Sequence, residues 1–280
     1  MSAMDDLPAY SSQFLPEVIR ALAATGPISH ITPEWAWGGS TGRGVRVAVV
    51  DSGIEADHPA VGGMVRQGVI VEYDEAAEEH YRVDPDPEPR DLSGHGTACA
   101  GIIHSLAPEA ELYSVRVLGR DMRGRAIQFA GGVDWTLQNG MQVANLSLST
   151  ARQEYYALFH EIADDAYFKN VVLVSAVNNV PAPSYPSLYA AVISVAAHTG
   201  RDPLTYYYNP APPVEFGAPG IDVRVAWKDH QYLTSTGNSF AAPHITGIVA
   251  LIRAKHPELT PFQIKTVLWA CAANVCHDEG

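Results

Sequence analysis

Short apolar runs alternate with helical repeats along most of this chain, and that alternation constrains its fold more than any other feature. Residues 45–50 read Val-Arg-Val-Ala-Val-Val and end at Asp51, the pattern of a strand buried on both faces. Further strands are expected at 112–118, 143–148, 171–177 and 191–197. A helix is expected from His95, packed through Ala98, Ala100 and Gly101. A second should cover 126–139, with Ile127, Ala130, Val133 and Leu137 on one face and Gly140 as its stop. A third should cover 155–168, with Asn170 near its stop. Another follows Ser239, and the last begins at Thr260 as cap with Pro261 in its first turn. Strands and helices in this order predict an α/β fold, a mostly parallel central sheet with helices on both faces. Sites in such folds lie at the carboxyl ends of strands, where Asp51, Ser149 and Asn178 fall.

The remaining composition sets limits. The 280 residues suffice for one large α/β domain with a real core. The 18 Lys+Arg against 31 Asp+Glu give a formal charge of −13 with no basic block, which argues against nucleic acid and anionic membranes as partners. No apolar run approaches the roughly 20 residues that span a bilayer, so no membrane partner is expected. The first six residues, Met-Ser-Ala-Met-Asp-Asp, place acids where a secretion signal needs a basic end. Cys99, Cys271 and Cys276 lack a metal-ligand spacing and read as free thiols of a reducing compartment, so a cytoplasmic location is expected. No repeat or low-complexity tract is present. Two pieces are expected, an N-terminal extension (1–28) and the α/β domain (29–280). Within the extension, Phe14, Leu15, Val18, Ile19 and Leu22 have helical spacing. Residues 71–91, acidic and rich in proline, read as an extended surface loop.

Three segments carry chemistry. Val49-Val50-Asp51-Ser52-Gly53 places an acid after a buried strand. Asp91-Leu92-Ser93-Gly94-His95-Gly96-Thr97 places a histidine at a glycine-flanked helix start. Gly237-Asn238-Ser239-Phe240 places a serine at another helix start. Serine is a poor nucleophile unless an imidazole takes its proton. The imidazole in turn needs a buried carboxylate to fix its tautomer and stabilise its charged form. These are the parts of an acyl-transfer site, scattered so widely that only folding can assemble them.

In this order, Asp then His then Ser, the three motifs resemble those of the subtilisin-like serine proteases, the subtilases. The resemblance runs from about residue 31 to residue 275. It implies Asp51 as the orienting carboxylate, His95 as general base and then acid, and Ser239 as nucleophile. The Ser239 N–H and the side chain of Asn178, with Asn179 as the alternative, would form the oxyanion hole. Met122, Arg123 and Gly124 on one side and Ser147, Leu148 and Ser149 on the other would pair with substrate backbone. Leu148, Phe129 and Ala126 would wall an outer apolar pocket, and Val177 and Ser184 the pocket beside the scissile bond. The implied activity is that of an intracellular serine endopeptidase of restricted specificity, acting on a peptide or protein substrate. A catalytically impaired pseudo-protease that holds peptides is the alternative, and peptide ligation through the same acyl-enzyme ranks below both.

The sequence departs from the family pattern at several places. Val177 stands where a glycine usually precedes the oxyanion Asn, which predicts a narrow primary pocket. Ser149, Asn238 and Phe240 replace the usual Gly, Thr and Met. The calcium loop that many subtilases carry after the catalytic histidine is missing here, so no cofactor or metal is expected beyond a weak calcium site among residues 74–79. Cys99 resembles the cysteine of the thiol-bearing subtilases, packed under the catalytic histidine. Arg116, Arg120, Arg123 and Arg125 crowd one edge of the expected cleft and suggest a preference for acidic side chains upstream of the cut. His58 and His244 read as structural. Residues 7–10, Leu-Pro-Ala-Tyr, resemble the inhibitory stretch of intracellular subtilisins.

Overall fold

The computed structural model describes residues 31–275. The extension 1–28, its expected helix, the stretch 7–10 and Cys276 lie outside the described residues. In chain order the elements are α1 (Pro33–Trp37), β1 (Arg46–Asp51), β2 (Val65–Tyr73), β3 (Tyr81–Asp86), α2 (His95–Leu106), β4 (Glu111–Arg116) and α3 (Ala126–Gln138). Then follow β5 (Val143–Leu146), α4 (Tyr156–Phe168), β6 (Val172–Ala176), β7 (Ile193–His198), β8 (Tyr207–Tyr208) and β9 (Phe216–Pro219). The last are β10 (Val223–Trp227), β11 (Gln231–Ser235), α5 (Asn238–Lys255) and α6 (Pro261–Ala270).

Nine strands form one sheet in the order β3-β2-β4-β1-β5-β6-β7-β9-β8. It is parallel from β2 through β9, and only the edge pairs β2–β3 and β8–β9 are antiparallel. β1 lies between β4 and β5, and its Val47, Ala48, Val49 and Val50 are all fully buried. Side chains alternate across a strand, so both faces of β1 must be covered, which is why its sequence is an unbroken apolar run. Ala48 and Val50 join Phe129 and Val133 of α3 and Phe159 of α4 in one core. Helix α5 covers β5, β6 and β7. Each fully buried Val contributes roughly 1.5–3 kcal/mol relative to exposure.

Two departures from the sequence reading concern hairpins. The segment 71–91, expected to be a loop, contributes the end of β2 and all of β3, paired antiparallel from Gly68↔Asp86 to Tyr73↔Tyr81. Pro85 sits in β3 opposite Val69, which is tolerated because β3 is the outermost strand and its other side needs no donors. Arg82 pairs with Glu72 and, at 2.8 Å, with Asp84, so charged side chains occupy this edge. The second hairpin, β10–β11, has no parallel-sheet signature and lies apart from the main sheet. Its Val225 packs with Ala98, Ile102 and Phe240, so it covers α2 beside the start of α5.

The helix ends follow the expected signals. Thr260 caps α6 through a bond from the Gln263 N–H, with Pro261 in the first turn. Asn170, with φ 59°, ends the turn after α4. Arg253 of α5 is buried and donates to the Asn170 carbonyl (2.8 Å) and to Asn170 Oδ1 (3.1 Å). It also donates to the carbonyls of Pro257 and Leu259, so one guanidinium ties together the ends of three elements. Arg253→Met would strand these buried acceptors at a cost of about 3 kcal/mol. Thermal unfolding should show a Tm lowered by roughly 6–12 °C, and an unchanged Tm would remove this role.

Candidate active site

Asp51 ends the central strand with no exposed surface. A buried carboxylate is tolerated only if donors surround it. The Ser52 N–H supplies one at 2.7 Å, and His95 Nδ1 lies 2.9 Å from each carboxylate oxygen. Burial is the largest single influence on His95 and lowers its pKa, but the charge and hydrogen bond of Asp51 together with the neighbouring Cys99 outweigh it, and the imidazole is held well above its ordinary value. Cys99 lies beneath them, fully buried, its Sγ 3.9 Å from Asp51 Oδ2 and 3.5 Å from the Ser239 carbonyl. Burial pushes this thiol's pKa up.

Two glycines let the loops that carry Asp51 and His95 meet. A Cβ on Gly96 would lie 2.0 Å from the Gly53 carbonyl oxygen, and one on Gly53, where φ is +102°, would lie 2.1 Å from the Arg90 carbonyl oxygen. The loop before α2 is anchored by Asp91. Its Oδ1 accepts from the N–H groups of Ser93 and Gly94 and from the Ser52 hydroxyl, and its Oδ2 accepts from both the N–H and hydroxyl of Thr97. A carboxylate at a helix N-terminus is favoured by the orphan N–H groups there. The sequence reading quoted Asp91 without giving it a role; its signal was an acid six residues ahead of Thr97 at a helix start.

Ser239 lies in the first turn of α5 and faces the same cleft as His95, a cavity of about 930 Å³. Among the described residues its Oγ makes no hydrogen bond, whereas its carbonyl is held firmly. Pro243, one turn along, has no N–H to give that carbonyl, so the helix leaves it free. The Ser147 hydroxyl takes it at 2.8 Å and the Cys99 thiol at 3.5 Å. Asn145 Nδ2 donates to the Ser147 hydroxyl, and Asn145 Oδ1 accepts from Thr246, which closes this network beneath α5. Ser147 therefore supports the nucleophile segment as well as lining the cleft.

Two asparagines follow β6, and both Asn178 and Asn179 line the cleft. Asn178 folds back, its Oδ1 accepting from the Val180 N–H, and its own N–H goes to Ser184. It is Asn179 whose Oδ1 accepts from the Asn238 N–H at 2.9 Å, beside Ser239. Asn238 takes the place of threonine as a clasp. It accepts from the Ala197 N–H and donates to the carbonyls of Val177 and Asn178.

Met122, Arg123, Gly124, Ser147, Leu148, Ser149 and Val177 all line the cleft, with Phe129 and Ala126 behind them. Ser184 does not. It is buried, and its hydroxyl accepts from the Asn178 N–H and the Ser187 hydroxyl, because holding that turn leaves it facing inward. Phe240 packs against the His95 ring at 5.4 Å between centroids. Among the described residues, three metal-ligand atoms approach within 4.8 Å of one another only at Asp51–His95–Cys99 and at Glu55–Asp57–His230. The acids of 74–79 do not converge in this way, and Asp74 Oδ1 is engaged by the Ala76 N–H of its own turn. No helix among the described residues is long and apolar enough to cross a membrane.

Residues 42–279 match the profile of the subtilase family. The chain belongs to that family. Subtilisin BL of Lederbergia lenta is 34% identical over 248 residues, covering 85% of this chain and 86% of its relative. The minor extracellular protease Epr of Bacillus subtilis (strain 168) is 30% identical over 246 residues, 82% of this chain and 35% of that protein. A crystal structure of a cold-adapted subtilisin-like serine proteinase superposes with a TM-score of 0.66 at 27% identity, covering 84% of this chain and 86% of the other. The chain is thus a subtilisin-like serine protease with the subtilisin-like α/β fold. The close approach of the Asp51 and His95 loops is then open to a direct test. Gly96→Ala should force them apart and lower kcat/KM on a peptide substrate by about 10²-fold with the fold retained by circular dichroism. Full activity in that variant would show that the contact is not needed.

Proposed function

We propose that this subtilase cleaves peptide bonds through an acyl-enzyme formed on Ser239. His95 takes the Ser239 proton as the hydroxyl attacks the carbonyl carbon, and then gives it to the leaving amine. Water, deprotonated by the same imidazole, releases the acyl group. Asp51 holds Nδ1 protonated, which leaves Nε2 free to act as the base, and stabilises the imidazolium that forms. The observation that carries this reading is the buried, doubly bonded Asp51–His95 contact at the rim of a cleft that Ser239 shares.

The developing oxyanion is served by the Ser239 N–H at the start of α5 and by the side chain of Asn179. Asn179 is favoured by the bond that its Oδ1 accepts from the N–H of Asn238, the residue before Ser239, although Asn178 lines the same cleft. The peptide lies as an added strand between 122–124 and 147–149. Val177 and Ser149, both lining the cleft, fill space that glycine leaves open in the family pattern, which supports restricted specificity. An intracellular site of action is proposed on the thiols of Cys99 and Cys271, both free. No calcium step enters this mechanism.

A fluorophosphonate probe should label the wild type and not Ser239→Ala. Asn179→Ala should lower kcat by about 10²–10³-fold, a magnitude carried over from a subtilisin, and Asn178→Ala by far less. Absence of label on the folded wild type would replace this reading with that of a pseudo-protease that binds peptides. A larger loss at Asn178 than at Asn179 would return the oxyanion role to Asn178.

A further inference from the structure

The cleft is cationic in an acidic protein. No Asp or Glu lines it, although the chain carries 31 of them against 18 Lys+Arg. Its outer half holds Arg123, Arg125 and Arg152, with His80 from the β2–β3 turn. The four arginines that the sequence places on this edge are thereby re-sorted. Arg116 turns inward to Asp86 at 3.9 Å, and Arg120 does not line the cleft. Arg152 joins from the segment beyond Ser149, and the hairpin read from sequence as a loop brings Tyr73 and His80.

The three arginines are not equivalent. Arg123 lies 3.8 Å from Asp121, and Arg152 lies 3.1 Å from Glu154, so each has a carboxylate of its own. Arg125 has no ion-pair partner among the described residues. Its guanidinium lies 3.7 Å above the centre of the Tyr73 ring. Stacking of this kind fixes the plane of the guanidinium without using its N–H donors. The result is a pre-oriented fork able to receive a carboxylate at both donors. Arg125 directly precedes Ala126 and shares the cleft lining with Phe129 and Leu148.

We infer that the outer cleft selects peptides with an acidic side chain upstream of the cut, and that Arg125, stacked on Tyr73, is the anchor for that carboxylate. The inference rests on the cleft's role as the peptide site proposed above. The apolar floor beneath the fork suits a Glu or Asp flanked by apolar residues, and a Lys at the same place meets the unpaired charge of Arg125. Arg125 is a specificity residue and takes no part in bond cleavage.

The test uses internally quenched peptides of one sequence, with Glu, Gln or Lys placed in turn at each of several residues upstream of the cut. The expected order of kcat/KM at one position is Glu above Gln above Lys, with a Glu:Gln ratio on the order of tenfold. Arg125→Gln should bring that ratio close to one, and Arg125→Glu should invert the order of Glu and Lys. Tyr73→Leu should lower the ratio partially, because the fork is then no longer held. The same peptides, read as Kd on Ser239→Ala by fluorescence anisotropy, give the order independently of turnover. Equal values for Glu and Gln at every position would overturn the inference, as would a Glu preference that survives in Arg125→Glu. Failure of the serine-protease reading is distinct, since it shows as a wild type that takes no fluorophosphonate.

Discussion

A carboxylate buried at the end of the central strand is the constraint on which this molecule turns. Asp51 has no exposed surface, and water cannot solvate it. It is stable there only while the Ser52 N–H and the His95 Nδ1–H point at it. That requirement fixes the chain around it. Gly53 and Gly96 permit contact between two backbones, and Asp91 holds the loop between them through five bonds. Trp227 from the β10–β11 hairpin closes over Gly94, so the loop is packed as well as hydrogen-bonded.

The serine side is built by a different device. A proline inside α5 frees one carbonyl of the first turn, and the Ser147 hydroxyl and Cys99 thiol occupy it. The backbone of Ser239 is thus fastened to the end of β5 and to α2, the helix that begins with His95. Asn238 fastens the same turn to β7 and to the loop after β6. Three strand ends and two helix starts converge because the parallel sheet places their carboxyl ends side by side.

Much of this was legible in the sequence. Runs of apolar residues marked the inner parallel strands, since both faces of those strands are covered. Thr260, Pro261, Gly140 and Asn170 marked helix ends through local backbone chemistry that needs no tertiary context. Asp51, His95 and Ser239 were recognisable from their motifs. The edge elements were not. β2–β3 is polar on its open side and contains Pro85, so it reads as a loop until a neighbouring strand pairs with it. Which of the two asparagines after β6 serves the cleft was not legible, because they are adjacent and chemically identical and both line it. Ser184 was misplaced for a similar reason: its hydroxyl is used within its own turn.

The central claim is that the buried Asp51 carboxylate holds His95 in the form and tautomer that proton transfer needs. The direct measurement is the titration of the His95 imidazole by NMR in the Ser239→Ala protein, with Asp51→Asn beside it. The expected midpoint lies above the ordinary value of 6.5, because the carboxylate favours the protonated ring, and it falls when that charge is removed. A ring that titrates at or below 6.5, or one indifferent to Asp51→Asn, would contradict it.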